Sequence, residues 1–286
     1  MQLINSSKSR YTKMLFFIVP SFLGMAAFYF VPSLISVVYA FTDSKGAFVW
    51  FNNFASVLSS ETFHLAARNS LLFIAVSVPL SMVISFLLAG LCQNLKRKKA
   101  FAVAFMLPLV IPSGAVAFFW RVVFDDNGLI NRLLAMAGME TTYWFATNWV
   151  FGIVVLVFIL KNIGFNLALF LAGYQLIPRE YYEIARVEGA GKFQEFRNVT
   201  AVYMFPTTLL VFIMSIINSF KVFREIYILF GSYPHQSIYM LQHYMNNQFA
   251  AANLHRLSVV AMIFSLIVFV MILGVLKGTK KKMVFY

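Results

Sequence analysis

The sequence predicts an all-α polytopic membrane protein with six transmembrane helices, and three observations predict it. Of its 286 residues, 61% are hydrophobic and 12% charged, more apolar than the usual half of a soluble domain. Its apolar stretches reach the length of a membrane span: a hydrocarbon core of about 30 Å needs roughly 20 helical residues at about 1.5 Å each. Its basic residues, which give a net charge of +13, stand in short clusters between those stretches. That is the pattern of membrane flanks rather than of a basic face, so no nucleic-acid partner is expected.

The spans follow in order within one transmembrane domain, 1–286. The first, about 14–41, is uncharged from Met14 to Phe41. It exceeds the about 7–15-residue core of a signal peptide, so it reads as an uncleaved helix. The second, about 69–93, contains the lone Cys92, a packing residue that leaves no intrachain disulfide possible. The third, about 100–122, is uncharged from Ala100 to Trp120. The fourth, about 149–173, holds a single charge, Lys161, near its middle. An unpaired ammonium at the bilayer centre costs about 2.5–3.5 kcal/mol, so Lys161 must face protein or water. No Asp or Glu is expected within the spans, which points to a second subunit or ordered water as its partner. The fifth, about 200–221, carries Ser215, Asn218 and Ser219 on one face, at i, i+3 and i+4. Both helix–helix hydrogen bonding and solute contact suit that face. The sixth is about 256–276.

Orientation follows from charge. With a cytoplasmic N-terminus, Lys8, Arg10, Lys13, Lys96 to Lys99, Arg179, Arg186, Lys192, Arg197, Lys277 and Lys280 to Lys282 lie inside. These are 15 of the 23 basic residues, against seven outside. The bias places both termini in the cytoplasm.

No catalytic constellation emerges. His64, His235, His243 and His255 fall in external segments without metal-ligand spacing, as ordinary surface histidines, so no metal site is expected. Gly189-Ala190-Gly191-Lys192 lacks the first glycine of a phosphate loop, and Phe193 stands where Ser or Thr would bind Mg²⁺. The chain therefore has no ATP site by that route.

The loop between the fourth and fifth spans, about 177–198, is the informative one. Pro178 opens a short helix over Arg179–Glu188, with Tyr181, Ile184 and Ala185 on one face and Glu180, Glu183 and Arg186 turned away. Gly189 and Gly191 permit the positive φ angles that end it and turn the chain. Lys192–Asn198 follows as a second amphipathic piece carrying Phe193 and Phe196. Both a solvated connector and a docking element have this form.

The run from Ile177 to Phe196 closely resembles the cytoplasmic coupling loop of binding-protein-dependent importer permeases, whose loop carries Glu-Ala-Ala, three residues, then Gly. Glu183, Ala185, Gly189, Ala190, Gly191 and Phe196 match it. Ile184 replaces the middle Ala, Glu188 the common Asp, and Val199 to Val202 stand where Pro usually ends the motif; Pro206 matches a second family proline. The resemblance extends over about residues 14–276. Asn69-Ser70, Leu107-Pro108, Ile111-Pro112-Ser113, Gly128 to Asn131 and Lys161 to Asn166 fall in the order of the maltose and glycerol-phosphate type, the carbohydrate branch. Phe220 to Glu225 look closest to Gram-positive oligosaccharide permeases.

The resemblance implies the type I importer permease fold in a bacterial cytoplasmic membrane, and half of a translocation path for a sugar. It implies a second homologous permease, two ATPase subunits that carry ATP and Mg²⁺, and an extracytoplasmic sugar-binding protein, all within membrane lipid. It makes Glu183, Ala185, Gly189, Ala190, Gly191 and Phe196 the ATPase-coupling residues. Ser215 and Gly164 match sugar-contacting positions, and with Asn218, Ser219, Lys161 and Asn162 they form the expected solute set. The same importer class carrying a sugar phosphate, a secondary transporter and a non-transporting scaffold are the alternatives.

Overall fold

In the computed structural model, which describes Phe16 and residues 18–93, 95 and 97–283, regular structure is helical apart from one antiparallel bridge, Thr42 to Phe48. Lys8, Arg10, Lys13, Met14 and Lys96 lie outside the described residues. Among those described, five helices are long and apolar enough to cross a bilayer, and one bent pair makes a sixth crossing if counted as a single span.

The chain divides into two compact units, the first containing residues up to Ser60 together with Asn247–Leu273. Helix α1, Ile18–Phe41, leaves most of its side chains exposed, with Ala40 near its end buried. Its carbonyl end is capped by Asn53 of α2 (Asn52–Leu58), whose Nδ2 donates to Ala40 O at 3.0 Å and Thr42 O at 2.9 Å.

In the second unit, α3 (Glu61–Cys92), α4 (Lys98–Val110) and α5 (Ser113–Phe124) precede α6 (Leu129–Met136) and α7 (Trp149–Gln175). Helix α7 is apolar on nearly every face and the most buried span, because α3, α4 and the later helix Phe205–Lys221 all pack on it. The α3 side of that packing is a small-residue stripe, Ser77, Ser81, Ser85 and Ala89, each fully buried and four residues apart. Small side chains at that spacing let two backbones approach where no water drives association.

The expected third span is not straight. Proline disfavours the helical conformation in the residue before it, and Ile111, before Pro112, is extended at φ −67°, ψ 130°. The axis turns by 91° between α4 and the helix pair that comes after it. The fifth span is also longer than expected: α10 (Phe205–Lys221) continues after Val222 as α11 (Phe223–Phe230), which brings Glu225 into the same apolar run. The sixth belongs to the helix Leu254–Met283.

Between the last two spans, Asn69 Nδ2 of α3 donates to Gln236 O at 2.6 Å and Tyr239 O at 3.0 Å, while Ser70 Oγ accepts from Leu241 N at 2.8 Å. This clamp holds the helix Leu241–Ala250, and with it His243. His243 is not a surface histidine: its side chain is fully buried, its Nδ1 accepts from Met240 N at 3.2 Å, and its ring packs against Phe223 and Tyr239. Burial away from water penalises the imidazolium and pushes its pKa down to about 4.

Candidate functional site: a docking loop and a charged cavity in the spans

The loop forms two helices joined by a turn. Pro178 stands at the N-cap of α8 (Arg179–Val187), and Gly191 at that of α9 (Lys192–Glu195), where its N–H donates to Gln194 Oε1 at 3.0 Å. Only Gly189 takes the left-handed conformation, at φ 80°; Gly191 sits at φ −73°, so its backbone makes no demand for glycine. The Gly189 turn is closed by Ala190 N donating to Ala185 O at 2.9 Å, which satisfies a carbonyl of the helix end.

Of the expected face, Ala185 packs inward and the Tyr181 ring lies 4.9 Å from that of Tyr203, while Ile184 faces away and Tyr182 joins the packed side. Tyr182 Oη is 2.9 Å from Thr200 Oγ1, which fixes α8 to the start of the fifth span. Arg186 Nε donates to Glu195 Oε1 at 2.7 Å, which braces α8 against α9. The Glu195 bond and charge raise the Arg186 pKa further above its already high value. A cavity of about 880 Å³ lies beside this hairpin, lined by Gln93, Tyr174, Arg179, Tyr182 and Lys192 among others. Facing away are Val187 at 89% exposure, Phe193 at 73% and Ile184 at 54%. Glu183 is exposed and, with Phe196, lines the cavity, and Phe196 touches Phe86 of α3 at a ring distance of 6.1 Å. Phe196–Thr200 is π-helical, a local change of winding at the point where the motif's usual proline is missing. The arrangement is a rigid, braced knob that offers apolar side chains and one carboxylate.

The second constellation lies within the spans. Lys161 Nζ forms an ion pair with Glu225 and donates to Ser113 Oγ at 3.0 Å, and Ser113 Oγ donates to Glu225 Oε1 at 2.7 Å. Glu225 is buried at 3% exposure. The expectation that no carboxylate of this chain reaches Lys161 is therefore corrected. It failed because apolar continuity was read to end at Phe220, whereas α11 extends the run and carries Glu225 inward. A signal was available: Lys221, Arg224 and Glu225 are polar sites on a short amphipathic stretch whose other residues, through Phe230, are largely apolar.

Three of the expected solute residues, Lys161, Asn162 and Asn218, line one cavity of about 100 Å³ with Ser113, Lys221, Arg224 and Glu225. Asn162 Nδ2 donates to Phe158 O at 2.9 Å, and Asn218 Oδ1 accepts from Lys221 Nζ at 2.9 Å. The other three serve packing. Asn166 Nδ2 donates to Ser81 Oγ at 3.2 Å and Ser215 Oγ at 3.1 Å, which joins α3, α7 and α10. Ser219 Oγ donates to Ile216 O at 2.6 Å in its own helix and is buried. At Gly164 an added Cβ would stand 2.0 Å from Phe105 O, so the glycine is there because α4 passes against it.

Comparison with known proteins bears on both constellations. A family described as the inner membrane component of binding-protein-dependent transport systems matches residues 81–278, which includes the loop and the cavity. The trehalose/maltose transport system permease MalF of Thermococcus litoralis is 29% identical over 190 residues, covering 65% of this chain and 64% of its own. The arabinooligosaccharide permease AraP of Halalkalibacterium halodurans is 29% identical over 220 residues, covering 74% of this chain and 69% of its own. Among solved structures, a bacterial ABC transporter for import of the acidic polysaccharide alginate superimposes with a TM-score of 0.83 at 21% identity. It covers 98% of this chain and 99% of that one.

Proposed function

From the premise that the chain belongs to the family of inner-membrane components of binding-protein-dependent transport systems, we propose that it is one permease subunit of an ATP-driven saccharide importer. The observation that carries this reading is the braced α8–α9 hairpin with its outward Val187, Phe193 and Ile184. Exposed apolar side chains on a rigid element need a partner surface, and in an ATP-driven importer an ATPase subunit is the partner that fits. Two such ATPases bind ATP and Mg²⁺; the Gly189 turn joins two helices, where a phosphate loop would follow a strand. A second permease completes the path, and an extracytoplasmic binding protein supplies the solute. Both termini face the cytoplasm, which puts the hairpin on the ATPase side.

The saccharide reading rests on relatives that carry trehalose, maltose and arabinooligosaccharides, and on a polar cavity inside an apolar bundle. Lys161, Asn162 and Asn218 are the proposed solute contacts. Gly164, Ser215 and Ser219 hold helices around them. Movement of the hairpin reaches the cavity through α7, whose C-terminal end leads into α8 and whose middle carries Lys161. The test is uptake of labelled oligosaccharides into proteoliposomes holding the whole assembly. Uptake that needs ATP and the binding protein is expected. Uptake that persists without the ATPase subunits, driven by an ion gradient, would make this a secondary transporter instead.

A further inference from the structure

The Lys161 cavity is built like an anion site. Three cationic side chains, Lys161, Lys221 and Arg224, line it together, with Glu225 the only carboxylate among its lining residues. Ser113, which hydrogen-bonds both members of the ion pair, is the first residue of the twelve-residue helix α5. The positive end of that helix therefore opens on the same place. Lys221 donates to the neutral Asn218, and among the described residues neither it nor Arg224 is paired with a carboxylate. Cations at the end of a span are ordinarily membrane flanks. Here they stand within one turn of Glu225 and line the cavity that holds it, so flanking alone does not explain them.

Resting on the reading of this chain as a saccharide-importer permease, we infer that this cavity is an anion subsite for the carboxylate or phosphate of an acidic saccharide, with Glu225 the internal anion that shares its donors. The cavity opens at an exposed rim, where Lys221 and Arg224 stand. The acid would take charge-assisted hydrogen bonds from Lys161, Lys221 and Arg224, beside Asn162 and Asn218 in the same cavity. A neutral saccharide offers only hydroxyls to these cations, and a hydroxyl neutralises none of them.

The experiment is competitive import by the complete reconstituted assembly, with its binding protein, of trigalacturonate, the matching neutral galactotriose and glucose 6-phosphate. The wild type should import at least one acidic probe in preference to galactotriose, and which one identifies carboxylate or phosphate as the ligand. Arg224→Gln and Lys221→Gln, both at the exposed rim, should each lower the acidic-to-neutral import ratio about tenfold, as loss of one charged hydrogen bond does. Glu225→Gln should raise that ratio, because it removes the competing carboxylate. Import of galactotriose alone, or an acidic-to-neutral ratio that the rim variants leave unmoved, overturns the inference while the importer reading stands. Import of no saccharide, neutral or acidic, overturns both.

Discussion

At the scale of single residues, the polar groups inside the bundle have distinct tasks. Asn166 ties three helices through Ser81 and Ser215, so Asn166→Leu should strand both hydroxyls in an apolar setting. In membranes such bonds are worth about 0.6–2 kcal/mol each, and the purified assembly's melting temperature should fall correspondingly. Gly164→Ala places a methyl against the Phe105 backbone and should cost about 1–3 kcal/mol, read in the same melt. His243 gives a pH dependence. Its folded pKa, about 4, lies below the unfolded value of about 6.5, so the unfolded chain binds the proton first. Stability is then full above about pH 6.5 and is lost as pH falls toward 4. His243→Phe should flatten that stretch of a melting-temperature profile; an unchanged slope would assign the dependence to other groups.

At the scale of elements, the helices were legible in the sequence and their breaks were not. Apolar runs of about 20 residues are forced by bilayer thickness, so five straight spans and their order could be read without a structure. The bend at Ile111–Pro112 was hidden because an uncharged run has the same composition whether it crosses the membrane once or turns within it. Of the loop between the fourth and fifth spans, the helix, the turn at Gly189 and the exposed Phe193 were all readable. The inward face was readable only in part: Ala185 was expected there, but that Tyr182 also turns inward depends on the Thr200 hydroxyl it meets. In the solute set, residue type signalled a polar interior but could not separate Asn218, which lines the cavity, from Ser215, which packs. That distinction depends on how α10 is rotated against α7. The brace gives its own prediction. Arg186→Ala frees Glu195 and should loosen α8 from α9, lowering transport without unfolding the spans, because Arg186 is exposed and such a pair adds little to stability.

At the scale of the whole molecule, the proposed coupling has a rigid hairpin pass the work of partner ATPases to a charged cavity within the spans. Gly189 tests that link most directly, because its φ of 80° is needed for the turn, while no neighbouring atom crowds the position. A β-branched residue is strained there whatever the space, so Gly189→Val alters the hairpin and leaves the helix packing of the spans alone. The measurement is saccharide-stimulated ATP hydrolysis by the complete assembly, with Gly189→Val compared against wild type and with melting temperature as the control for folding. Stimulation and uptake should be lost together while the melting temperature holds. Normal stimulation by saccharide in a folded Gly189→Val assembly would contradict the coupling.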